Sequence, residues 1–130
     1  MSKQTLQLHS TVFTIHSLDV DSPIPSDLFK EKIFFISKTH DELSIVCPSS
    51  FIINSLDAEH NWLALEVVGP LGFSLTGIMA NISGVLANAS ISIFALSTYD
   101  TDYILVKKQR ISDAIKTLKK DGYTVLEEPT

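Results

Sequence analysis

This sequence is poor in several things that would announce a function. It has one cysteine, Cys47, so no disulfide can form within the chain. The setting of Cys47, Leu43-Ser-Ile-Val-Cys-Pro48, reads as the end of a strand and predicts a buried, unreactive thiol. It has one arginine, Arg110, and only 10 basic residues against 15 acidic ones. The weak clusters Lys107, Lys108, Arg110 and Lys116, Lys119, Lys120 read as a solvated helix face, so the footprint that nucleic acid demands is missing. No apolar run approaches the roughly 18 residues of a membrane helix, and residues 1–9 show no apolar leader, so a cytoplasmic chain away from membranes is expected.

Catalytic and metal signatures are also lacking. There is no Gly-x-Ser-x-Gly elbow. Gly72-Phe-Ser-Leu-Thr-Gly77 has the glycine spacing of a phosphate loop, but Ile78 and Met79 stand where lysine and Ser/Thr are needed. His9, His16, His40 and His60 share no ligand spacing and are expected at the surface or at sheet edges. Asp100 and Asp102 belong to an Asp-rich turn rather than a metal pair. The expectation is a non-enzyme with no cofactor and no metal.

What the chain does have is apolar content, 45% against 19% charged residues, enough for a core. Leu6–Ile15 predicts a strand, and Ser17–Asp27 a loop with a helical turn near Ser26–Lys30. Ile33–Ser37 and Leu43–Cys47 predict a hairpin. Pro48-Ser49-Ser50 is read as opening a short helix carrying Phe51, Ile52 and Ile53. Asp57–Asn61 is read as a polar break, giving two units, 1–61 and 62–130.

In the second unit Trp62–Val68 alternates as a strand. Leu75, Ile78, Met79, Ile82, Val85, Leu86 and Ala89 recur at helical spacing, with Ser74 as a candidate N-cap. Strands follow at Ile91–Leu96 and Asp102–Lys107. A second helix carries Ile111, Ala114, Ile115 and Leu118 and stops at Gly122, and Tyr123–Leu126 is the last strand. The order is βαββαβ: an α+β, ferredoxin-like unit, preceded by a shrunken repeat of the same order.

Two segments carry chemistry beyond packing. Gly69-Pro-Leu-Gly-Phe-Ser-Leu-Thr-Gly77 is a glycine-rich turn opening into a helix, whose free N–H groups suit a carboxylate. Ile91-Ser-Ile-Phe-Ala-Leu-Ser-Thr-Tyr-Asp-Thr-Asp-Tyr103 closes a strand with hydroxyls and a carboxylate, Asp102. A zwitterionic amino acid needs both. The alternative is that Ser97, Thr98 and Thr101 merely satisfy the turn.

These two segments resemble the ACT-domain family: the stand-alone tandem ACT proteins, the cytosolic arginine sensors of animals and the regulatory ACT domains of aspartate kinase. The resemblance covers the second half well and the first half through its order of elements. It implies a regulatory, amino-acid-binding tandem ACT repeat, with the ligand at the seam between ACT units and a homodimer completing the set. Carried over by position, the implied ligand-binding residues are Gly72, Leu75, Thr76 and Gly77 on the turn and helix start. Thr98, Tyr99 and Asp102 follow on the later turn, with Ser92 and Ile93 on the facing strand. Arginine sensors have an acidic residue where this chain has Leu75, and an apolar side chain cannot pair a buried cation, so a neutral amino acid is expected. The competing expectation is a protein-interaction ACT module without ligand, acting on an effector protein that the sequence does not identify.

Overall fold

In a computed structural model, residues 3–69 and 75–128 are described, with the backbone alone for Gly69, Leu75 and Thr76. Two long strands organise the chain, β1 (Thr5–Leu18) and β4 (Asp57–Gly69). Each contributes one stretch to each of two compact units. One unit comprises the residues up to Ser10 together with those from Leu63 onward; the other is Thr11–Trp62.

The Thr11–Trp62 unit holds a 3-10 helix (Ser26–Lys30), β2 (Phe35–Lys38) and β3 (Leu43–Pro48). Its strand order is β2-β3-β1-β4, the order of a ferredoxin-like sheet. β3 pairs antiparallel with β1, setting Thr14 against Cys47 and His16 against Ile45, and with β2, setting Phe35 against Val46. The 3-10 helix inserts fully buried Leu28 into a small cluster with Leu18, Leu43, Ile45 and Cys47. Burial, and to a smaller degree the charge of Glu31, push the Cys47 thiol up to about 11, in line with an inert side chain.

Three expectations change in this unit. Residues 51–53 form no helix. Phe51 closes a turn onto Pro48 (N to O 2.9 Å), and Phe51 and Ile53 then pack on the cluster while Ile52 stays 91% exposed. That alternation is extended, and β-branched isoleucines favour it over a helix. The polar run Asp57–Asn61 is strand rather than break, because its backbone pairs while its polar side chains stay in water. Asn61, at φ 65°, is a residue type that tolerates the left-handed region. His16 is not at the surface: it is 6% exposed, on the β1 face that carries Leu18.

The other unit holds α1 (Leu75–Asn88), β5 (Ile93–Ser97), β6 (Asp102–Lys107), α2 (Ile111–Lys120) and β7 (Thr124–Glu127). Its strand order is β7-β1-β4-β6-β5. A ferredoxin-like unit would pair its last strand with its first. Here the start of β1 lies between them and pairs in parallel with β7, Thr5 opposite Thr124 and Leu8 opposite Glu127. Both helices cover one sheet face. Ile78, Ile82 and Leu86 of α1 and Ala114 and Leu118 of α2 meet Leu65, Val67, Ile104, Val106 and Leu6 in one core.

The helices stop in similar ways. α2 ends at Gly122, at φ 102°, with the Tyr123 amide donating to Leu118 at 3.0 Å. α1 ends at Ser90, at φ 59°, with the Ile91 amide donating to Leu86 at 2.9 Å. This is the left-handed stop that glycine fills without strain. Arg110 steadies the α1 end by donating to the carbonyls of Ser90 and Ala89 at 3.2 and 3.4 Å. At the opposite side of the unit Lys3 bonds Asn81 and Asp121, and Tyr123 donates to Asn81.

Candidate functional site

β4 runs outward, α1 returns, and β5 runs outward again. The end of β4, the start of α1, the 98–101 turn and the start of β6 therefore share one end of this unit. Alternation along β6 puts Asp102 on the same face as Ile104 and Val106, the face that the helices cover. Asp102 is thus 3% exposed, a carboxylate at the rim of an apolar core. Its Oδ1 accepts from the Ser97 hydroxyl at 2.5 Å. Its Oδ2 is buried and has no hydrogen-bond partner among the described residues. Leaving a buried acceptor unmatched is costly, so this oxygen is the most telling atom of the site.

The remaining expected residues divide. Thr98 is committed to its turn: its amide donates to the Thr101 carbonyl at 2.8 Å, and its Oγ1 accepts from the Thr101 amide at 3.2 Å. Tyr99 is 98% exposed at the tip. Ile93 begins β5 and packs on the core, while Ser92 lies exposed just before the strand rather than within it. Gly77 lies in the first turn of α1, exposed, with nothing within 4 Å of the Cβ it lacks. Leu75 and Thr76 open α1, and their side chains, like Gly72 and the N-cap candidate Ser74, lie outside the described residues. The structure thus joins Ser97 to Asp102, keeps Thr98 within its own turn and leaves Tyr99 apart in solvent.

Two groups were not anticipated from sequence. Ser97 looked like turn filler, yet it faces Asp102 in the β5–β6 ladder and bonds it. The signal was there: two polar residues flanking a four-residue turn fall opposite each other. His9 stands between two carboxylates, Nε2 2.8 Å from Glu66 and Nδ1 2.9 Å from Glu128. The Ser10 hydroxyl and amide hold the Glu128 carboxyl below its usual range. The His9 ring lies 6.4 Å from Tyr103, whose phenol is pushed up by burial and by Glu66. No sequence spacing links residues 9, 66 and 128; sheet pairing does.

The Thr11–Trp62 unit has an open cleft of about 160 Å³ lined by Ile15, His16, Ser17, Glu42, Ser44 and Asp57, among others. The His16 Nδ1 meets Ser55 Oγ at 2.9 Å, and its Nε2 is buried without a partner among the described residues. Among the described residues no group of three His, Cys, Asp or Glu could hold a metal ion, and no helix is long and apolar enough to cross a membrane.

The family model for the ACT domain matches residues 57–120, and a second family model, for an N-terminal domain, matches residues 12–55. Through residues 57–120 the chain belongs to the ACT-domain family. Among curated proteins it is similar to CASTOR3P of Homo sapiens, 32% identical over 73% of this chain and 66% of that one. It is also similar to the human cytosolic arginine sensor for mTORC1 subunit 1, 34% identical over 76% of this chain and 32% of that protein. The match therefore spans about a third of the sensor subunit's length. Among solved structures, an Agrobacterium tumefaciens protein superposes with a TM-score of 0.91 at 28% identity, covering 100% of this chain and 97% of that one. The ligand-free regulatory subunit of aspartate kinase from Thermus thermophilus shares the fold, with a TM-score of 0.65 at 10% identity over 92% and 98% of the two chains. The ACT segment contains the start of α1, the 98–101 turn and Asp102, so the candidate site lies wholly inside it.

Proposed function

We propose that this ACT protein is a cytosolic, non-catalytic regulator that binds a small neutral amino acid at a seam between ACT units, in a homodimer. Asp102 takes the ammonium group. Backbone N–H groups near Gly72 to Gly77 take the carboxylate, and the apolar residue type at Leu75 favours a neutral side chain. Ser92 and Ile93 face the ligand from the partner copy. The observation that carries this reading is the buried Oδ2 of Asp102, an acceptor without a partner among the described residues, at the end of the unit where α1 opens. An ammonium group supplies the donor and charge that this oxygen lacks, and a helix N-terminus suits the carboxylate on the same ligand. Similarity to a protein named as an arginine sensor supports the amino-acid class. The exposed stripe Gly77, Ala80, Gly84 and Ala87 on α1 supports a close-packed second copy.

A thermal-shift screen of the twenty amino acids tests the reading. A ligand at a hundred times its dissociation constant stabilises the fold by about 2.7 kcal/mol, and Asp102→Ala removes that shift while the protein stays folded. A screen in which only arginine or lysine stabilises the protein overturns the neutral-ligand assignment. The second reading, an interaction module without ligand, has its own observation: the Thr11–Trp62 unit keeps the strand order but has only a 3-10 turn for helix. A screen without any shift favours it, and light scattering that finds a monomer removes the homodimer.

A further inference from the structure

We propose that Ser97 is the positioning residue of the amino-acid site, fixing the Asp102 carboxylate so that Oδ2 faces the ligand's ammonium group; this rests on the amino-acid reading above. Ser97 and Asp102 form the last pair of the β5–β6 ladder. Alternation puts Ser97 on the same face as Ile93, which packs on the helix-covered core, so both polar side chains lie on the helix side. The Ser97 hydroxyl donates to Oδ1. A carboxylate is planar, so holding one oxygen sets the direction of the other. Without that bond the terminal torsion of aspartate is broad, and the carboxylate plane can turn so that neither oxygen keeps its direction.

The neighbouring hydroxyl cannot take over. Thr98 Oγ1 already accepts from the Thr101 amide and donates toward the Thr101 carbonyl at 3.3 Å. The carboxylate thus has one oxygen tied by a neutral donor and one buried and unmatched among the described residues. That division suits a ligand bearing a free ammonium group. It does not suit an N-acylated analogue, whose amide carries no positive charge.

The test uses the full chain, wild type and variants, with glycine, L-alanine, L-serine, L-leucine and L-phenylalanine as probes and their N-acetyl forms as controls, by calorimetry. The expected result is that Ser97→Ala, still folded at the assay temperature though with a lowered melting temperature, weakens the best-bound probe by about tenfold or more. Ser97→Thr, which keeps the hydroxyl, restores affinity close to wild type, and no N-acetyl form binds. Restoration by threonine separates a hydroxyl that aims the carboxylate from a side chain that merely fills the strand end. Wild-type affinity in Ser97→Ala, or a folded Ser97→Thr that fails to bind, overturns the positioning role while the amino-acid reading stands. Wild type binding none of the free amino acids overturns both.

Discussion

The two units differ in what they pack on a ferredoxin-like sheet, and in the ACT unit the start of β1 is added between the first and last strands. The Thr11–Trp62 unit has eight acidic against three basic residues and so holds the whole net charge of −5; the remainder of the chain has seven of each. One unit packs two helices on its sheet, the other a single 3-10 turn and an extended segment. Its core cluster is correspondingly small, and large apolar side chains remain in water, Ile52 and Leu56 (75%) among them. Strand order survives the loss of helices because backbone pairing sets it. Core size does not, because helices bring most of the apolar surface.

That contrast can be broken most forcefully by truncating a core residue in each unit. Ile82→Ala, beneath α1, is expected to cost about 3–5 kcal/mol, and Leu28→Ala, in the smaller cluster, about 2–3 kcal/mol, since an extended segment collapses into a cavity more easily than a packed helix does. Urea denaturation measures both, and equal costs would show that the small cluster is as tightly packed as the large one. Next comes Gly122→Ala. At φ 102° an L side chain is strained, although it would meet only the Lys3 side chain at an ordinary 3.8 Å, and a loss of about 1–2 kcal/mol is expected in the same assay.

Acid should separate the units more gently. Burial, and then the charge of His60, lower the pKa of His16 below its ordinary 6.5. The folded state resists a proton that the unfolded state accepts. The contribution is complete above pH 6.5 and declines as pH falls through and below that value. Hydrogen exchange between pH 7 and 5 should show amides of Thr11–Trp62 losing protection first, and His16→Gln should flatten the decline. The smallest effect expected is a gain. Ser90 occupies the left-handed stop of α1 that Gly122 occupies for α2, so Ser90→Gly should stabilise by about 0.5 kcal/mol, strain relief exceeding the added chain entropy.

Much of this was legible in the residues. The period of Ile78, Ile82 and Leu86 gave α1, Gly122 gave the end of α2, and alternation gave β4 beyond Trp62. Legibility failed where backbone pairing overrode side-chain polarity, at Asp57–Asn61, and where isoleucine and phenylalanine sat in an extended segment. His16 was misread because one histidine in a strand does not declare its face until the register is known. At the candidate site the sequence pointed to Asp102 but not to its burial, and passed over Ser97, because the opposition of those two residues is a property of the hairpin.

The parallel pairing of Thr5–Leu8 with Thr124–Glu127 also fixes an order of assembly. Thr11–Trp62 is one uninterrupted stretch, so its contacts can form as soon as that stretch has left the ribosome. The ACT unit has to wait. Its stretch of β1 is made early and its partner β7 late, and loop closure over so long a separation is slow. Until β7 emerges, one edge of residues 5–8 offers unpaired amides and carbonyls to any passing strand, including the same segment of another nascent chain.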